Sequence, residues 1–156
     1  MTDDDMSPLD RLLAERACER LILEFVHRLD LGEPGSVADL FTPGGIWEWQ
    51  ADGRRVEGRE ALRAYFAGRP ADRLSRRLMT NVLVTVTSPS TATAVSYLAT
   101  YRVDGFDGRM LPPRLPANVG HYEDEFHRTG GTWLLAHRRT FLPFGASTER
   151  VGPPRG

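Results

Sequence analysis

The chain has 156 residues, 40% apolar and 26% charged with a net charge of -1, which is the size of one domain able to bury its own core. Its 20 basic residues are all Arg, so a Schiff-base lysine, a Walker-type lysine and a lysine base are excluded, and their mixing with acids leaves no basic stripe for nucleic acid. The lone cysteine, Cys18, excludes an internal disulfide and a thiolate metal cluster. In LLAERACERLILEF it reads as a small apolar residue at a helix contact. The opening MTDDDMSPLD is acidic where a secretion signal is basic, and no apolar run approaches the roughly 20 residues of a membrane span. The expectation is a cytoplasmic protein without membrane or nucleic-acid partners.

Ser7-Pro8 with Asp10 marks a helix start, and Leu9, Leu12, Leu13, Cys18, Leu21, Ile22, Phe25, Val26 and Leu29 recur at helical spacing until Gly32 and Pro34. A short helical piece, SVADLF, follows. GGIWEWQADGRRVEG reads as a hairpin turning at Asp52-Gly53, and REALRAYFAG as a further helix. From Ser75 the period becomes two, in RRLMTNVLVTVTS, TATAVSYLATYRVDG, NVGHYEDEFHRTG and TWLLAHRRTFLPF. Helices first and strands after predict an α+β fold, a curled and mainly antiparallel sheet packed on three helices of the N-terminal half and enclosing a pocket. One domain spans 1-156, its core about 8-144 and a Gly/Pro-rich mobile tail 145-156. GFDGRMLPPRLPA, between the second and third of the long strands, reads as a lid or as a surface loop.

Three residues separate His27 from Asp30, which places them on one helix face together with Leu23. A polar pair there fits proton transfer if the helix covers a pocket. It equally fits a half-buried histidine and a carboxylate bonded to loop backbone, although an acid near a helix C-terminus opposes the dipole and calls for a partner or a role. In GHYEDEFHR, alternation sets Gly120, Tyr122, Asp124 and Phe126 against His121, Glu123, Glu125 and His127. The second set is a solvated face, not a metal site. Asp124, flanked by aromatics, is either a partly desolvated acid suited to proton transfer or the partner of an Arg on a neighbouring strand. Tyr97, Ala99 and Tyr101 share one sheet face, and Trp47 and Trp49 are core or pocket-wall residues. Neither a Gly-rich dinucleotide loop nor a phosphate loop is present, and no cofactor or metal is expected.

FVHRLDLGEPGSVADLFTPGGIW, VEGREALRAYF, SRRLMTNVLVTV, TATAVSYL, VGHYEDEFHRTGGTW and AHRR occur in the order that resembles the SnoaL-like branch of the nuclear-transport-factor-two-like, or cystatin-like, superfamily over roughly residues 8 to 144. That branch includes polyketide cyclases, scytalone-type and bile-acid dehydratases, steroid isomerases, epoxide hydrolases and small subunits of ring-hydroxylating dioxygenases, so fold alone leaves the reaction open. The resemblance places the family's acid/base aspartate on Asp30, with His27 where the family has tyrosine. It puts Arg77, beside Thr80-Asn81, where dehydratases carry histidine; arginine cannot be a general base but can hold an oxyanion. It also aligns Asp124 with the cyclase acid/base residue and Arg138 with the family's late arginine. The resulting expectation is a cofactor-independent lyase, isomerase or cyclase acting on a small apolar carbonyl compound. Asp30 or Asp124 would move the proton, His27 would shuttle it, Arg77 with Tyr97 or Tyr101 would stabilise the oxyanion, and Tyr122, Trp47, Asn81 and Arg138 would contact substrate. The alternatives are a non-catalytic ligand-binding or accessory subunit and an epoxide hydrolase built on Asp30, Arg77 and Asp124. Apolar residues on both faces of LMTNVLVTV and SYLATY predict a homodimer through the outer sheet face.

Overall fold

The computed structural model describes residues 6–152; the acidic opening and the last four residues of the expected tail lie outside the described residues. Ser7 caps the first helix, α1 (Pro8–Leu31), its Oγ accepting from Asp10 N at 3.0 Å. Ala14, Cys18, Leu21, Ile22, Phe25, Val26 and Leu29 form the buried stripe. Leu9, Leu12 and Leu13, expected on that stripe, are exposed. The phase explains this, because at 100° per residue they lie on the far side of the helix from Cys18, Phe25 and Leu29.

A 3-10 turn (Pro34–Leu40) leads into β1 (Phe41–Trp49) and β2 (Arg54–Glu57), the expected hairpin, followed by α2 (Arg59–Ala67). The long strands are β3 (Leu74–Ser88), β4 (Thr91–Asp104), β5 (Asn118–Thr129) and β6 (Thr132–Gly145). The order is β2-β1-β6-β5-β4-β3, antiparallel except where β1 runs parallel to β6. The sheet is strongly curled and the helices pack on its concave side around Phe25, Phe41, Phe66, Phe126 and Leu135.

Curling depends on local irregularities. β3 changes phase at a bulge between Thr80 and Leu83. Ser75, Arg77 and Met79 face inward before it and Val82, Val84 and Val86 after it. Asn81 supplies the bulge with φ +50°, a left-handed conformation that Asn tolerates better than most side chains. At Gly120 the neighbouring strand comes so close that a Cβ would lie 1.9 Å from Phe141 O, and the β5/β6 register shifts at that point.

Part of the stretch expected to be a mobile tail pairs with the sheet. Glu149–Arg150 form β7, parallel to β4 at Val103 and Asp104, and Val151 N donates to Asp104 O at 2.9 Å. The 105–117 loop is tied down by Phe106 N to Asp72 O (3.0 Å) and by Arg114 to Glu149 (2.9 Å).

Candidate active site

Where α1 ends, its last turn meets the start of β3. Asp30 Oδ1 accepts from Ser75 Oγ at 2.6 Å and from Arg77 Nη1 at 2.5 Å, and Oδ2 accepts from Arg77 N at 2.7 Å. The Asp30 side chain is 4% exposed and that of Arg77 12%. This network supplies the partner that a carboxylate at the negative end of a helix requires. Ser75 is held in turn by Arg69 Nη2 at 2.7 Å. Arg77 Nε and Nη2 have no protein partner among the described residues, and the side chain borders the cavity, so it can hold Asp30 with one edge and a ligand oxygen with the other.

The cavity lies between the helices and the curled sheet, lined from α1, α2, β1, β3 and β4. A mouth of about 240 Å³ and a deeper recess of about 70 Å³ share Leu29, Trp47, Trp49, Phe66, Arg77 and Arg102 as lining. Strand alternation explains the set: Trp47 and Trp49 point in from β1 while Ile46 and Glu48 point out, and on β4 Leu98, Thr100 and Arg102 point in. Trp47 packs on Tyr65 (5.2 Å) and Phe66 (5.7 Å), and Arg54 lies 4.8 Å over the ring of Trp49. The rings of the wall therefore brace one another, and Arg54, which lines neither part of the cavity, backs Trp49. Among the described residues, buried Trp49 Nε1, Asn118 Oδ1 and Thr140 Oγ1 find no hydrogen-bond partner, and all three residues line the recess.

The sequence matches the SnoaL-like domain over residues 10–139. The chain belongs to the SnoaL-like family. Among solved structures, this SnoaL-like chain is similar to a protein of unknown function from Mycobacterium tuberculosis (25% identity over 88% of this chain and 76% of that one, TM-score 0.71). It is also similar to an NTF2-like protein with a cystatin-like fold from Novosphingobium aromaticivorans (23% identity, 88% and 87% covered, TM-score 0.70). A third is a hexachlorocyclohexane dehydrochlorinase from Novosphingobium barchaimii (16% identity, 95% and 100% covered, TM-score 0.70). These likenesses show the cystatin-like α+β fold for the SnoaL-like chain. No curated protein matches it in sequence. Among the described residues no helix is long and apolar enough to cross a membrane.

Within this SnoaL-like fold the expected site residues separate into groups. Asp30, Arg77, Trp47 and Tyr122 meet at or beside the cavity. His27 does not. It lies two residues, about 200°, around the helix from buried Phe25, and lines an outer groove with Leu23 and Leu31. His27 and Leu23 do share a face, but that face looks away from the sheet.

Asp124 points inward as alternation requires, yet Arg138, directly opposite on β6, takes both of its oxygens at 2.8 Å, and both side chains are 0% exposed. The guanidinium lies 3.9 Å from the Tyr122 ring and 4.4 Å from the Phe25 ring. Burial alone would lower the Arg138 pKa; the charge and hydrogen bonds of Asp124 more than offset this and raise it. The same burial, with Asp124 nearby, pushes the Cys18 thiol up to about 12 and leaves it inert. Asp30–Arg77 and Asp124–Arg138 are thus separate pairs, and an Asp-Arg-Asp cluster of Asp30, Arg77 and Asp124 does not form.

Tyr97 and Tyr101 are exposed on the convex face, 51% and 36%, because the inward parity of β4 belongs to Leu98, Thr100 and Arg102. Asn81 is exposed on its bulge and away from the cavity lining. No residue of the 105–117 loop lines the cavity. Sequence reasoning missed Ser75, Arg69, Arg102, Asn118 and Thr140. For Arg102, Asn118 and Thr140 the available signal was inward parity on strands whose register the sequence leaves open.

Proposed function

We propose that this domain is an acid/base enzyme, a lyase, isomerase or cyclase acting on a small carbonyl compound without a cofactor. Asp30 is its proton-transferring group and Arg77 its oxyanion holder. The observation that carries this reading is the direct Asp30–Arg77 contact at the edge of an aromatic cavity. A substrate ring lies against Trp47, Trp49 and Phe66, and its carbonyl oxygen accepts from the free Nε or Nη2 of Arg77. Asp30 Oδ2, which accepts one hydrogen bond, takes the α-proton; the C–H electron pair moves to the carbonyl to give an enolate, and Asp30 becomes the acid. Collapse of the enolate with loss of a β-leaving group gives a lyase, and return of the proton at another carbon gives an isomerase. Arg77 stays protonated throughout and stabilises the enolate more than the ketone, which lowers the barrier. The dehydrochlorinase of the same fold, an eliminating enzyme by its name, supports this class.

A second reading, a ligand-binding domain without turnover, is favoured by the engagement of both inward carboxylates: three hydrogen bonds reach Asp30 and two reach Asp124. The test is α-proton exchange of a panel of small cyclic ketones and β-hydroxyketones in D2O, followed by NMR. Wild-type protein should deuterate at least one ketone faster than buffer, and Asp30→Asn should not. Saturable binding with no exchange, or full exchange by Asp30→Asn, would transfer the assignment to the binding reading.

Self-association is part of the proposal. Leu78, Leu83, Val95, Tyr97 and Tyr101 form an exposed apolar band on the convex face of β3 and β4, the kind of surface a C2 dimer covers. Sedimentation should show a species of twice 17.5 kDa, and a monomer at micromolar concentration would contradict it.

A further inference from the structure

The cavity wall carries more positive charge than a neutral ketone needs. Arg69, Arg73, Arg77 and Arg102 all line the mouth. Two of them have carboxylate partners: Arg73 holds Asp104 through Nε at 2.7 Å and Nη2 at 3.0 Å, and Arg77 holds Asp30. The other two bond only neutral oxygens. Arg69 Nη2 donates to Arg73 O (3.2 Å) and Ser75 Oγ (2.7 Å), and Arg102 Nε donates to Thr148 Oγ1 (2.8 Å). Among the described residues, then, two guanidinium groups at one cavity have no carboxylate in direct contact.

Both are partly withdrawn from water and close enough to other cations to be repelled. Burial and then the charge of Arg77 push Arg69 down to about 10, with the charge of Asp30 opposing the shift and Arg73 and Arg102 adding to it. Burial, Arg73 and Arg77 lower Arg102, against the opposing charge of Asp104. A wall whose part-desolvated cations, four Arg, outnumber the two carboxylates paired with them is stabilised by an anion placed between the unpaired two. A second, independent feature lies just beyond. Asn118 and Thr140, each 5% exposed, and the indole N–H of Trp49 present polar atoms with no partner among the described residues, in the recess that also touches Arg102. Buried polar atoms without protein partners in a lined recess fit a ligand that supplies the missing bonds.

We propose that the cavity takes a small cyclic or aromatic carboxylate, its carboxylate held by Arg69 and Arg102, its ring against Trp47, Trp49 and Phe66, and its polar substituents reaching Asn118 and Thr140. Planar guanidinium forks match a planar carboxylate, and the apolar wall requires a hydrophobic body on the same molecule. The proposal deepens the acid/base reading, on which it rests for what the bound carbonyl compound then undergoes; the anion site itself needs only the cavity.

The test is calorimetric titration of the full chain with 2-naphthoate and with its neutral isostere 2-naphthamide, alongside inorganic phosphate. Wild-type protein should bind the naphthoate about tenfold more tightly than the amide. Arg102→Gln, which does not touch the Asp30 network, should remove that preference while changing amide affinity less than about twofold. Arg69→Gln gives the same readout if Arg102→Gln fails to fold. Equal affinity for acid and amide, a preference that survives both substitutions, absence of saturable naphthoate binding, or phosphate binding as tightly as naphthoate would each overturn the proposal. Asp30→Asn should still prefer the naphthoate. Loss of α-proton exchange in Asp30→Asn and loss of acid preference in Arg102→Gln are therefore separable, and failure of one reading leaves the other standing.

Discussion

Replacing Arg138, whose guanidinium lies over Phe25 and Tyr122, with methionine would leave the Asp124 carboxylate 0% exposed and stripped of two hydrogen bonds of 2.8 Å and of its counter-charge. Methionine keeps much of the volume, so little cavity forms and the loss is electrostatic. Breaking a fully buried pair from one side costs about 3–5 kcal/mol, which at about 2–4 °C per kcal/mol for a chain of this size lowers Tm by roughly 6–20 °C. The pair as a whole is a different quantity, because both ions were taken out of water to form it. Asp124→Leu with Arg138→Met removes both charges and restores apolar contact, and should lie within about 2 kcal/mol of wild type. Urea unfolding of the wild type, both single variants and the double variant gives the coupling energy directly. The double variant should also keep naphthoate binding, since neither side chain lines the cavity. If Arg138→Met costs less than about 1 kcal/mol, or the double variant is as unstable as the single one, the ascription of a structural role to the pair fails.

Asn81→Val should destabilise by about 1–2 kcal/mol in urea unfolding, and Asn81→Gly by much less, since the bulge needs φ +50° and a β-branched residue resists it; equal costs would remove the conformational explanation. Ser7→Ala should cost about 1 kcal/mol through loss of the cap to Asp10 N, and Ser7→Asp should retain most of it. Side-chain hydrogen bonds from Arg73 hold the Asp104 carboxyl below its ordinary value. Its contribution is therefore fully present above the ordinary carboxylate range and lost as pH falls through the lowered folded value, below about pH 5. Asp104→Asn should flatten the acid limb of a stability-against-pH profile, and a superimposable limb would refute this. Asp30→Asn should lower stability by about 1–3 kcal/mol, because it removes the counter-charge of Arg77 and leaves one carbonyl oxygen where two carboxylate oxygens accept three hydrogen bonds; an unchanged melting curve would show that the network is not formed in solution.

Periodicity was enough to recover every major element. Helical spacing up to Gly32, the hairpin turn at Asp52-Gly53 and the period-two strands after Ser75 are local signals, and local backbone sterics enforce them. The inward parity of Tyr122, Asp124 and Phe126 was legible because Glu and His fill the other face of β5. On β4 both parities of SYLATY are partly apolar, so parity alone could not tell that Leu98 and Arg102 face the cavity while Tyr97 and Tyr101 face out. The phase change at Asn81 inverts the second half of β3, and no single residue type announces it. His27 and Asp30 lie three residues apart, yet only Asp30 reaches the site, since it sits where α1 ends against Ser75 and Arg77. The Arg69–Ser75–Asp30–Arg77 chain and the choice of Arg138 as the partner of Asp124 depend on which strands lie side by side. Register and curl set those contacts, through long-range packing of the whole sheet, and a single sequence encodes them only collectively.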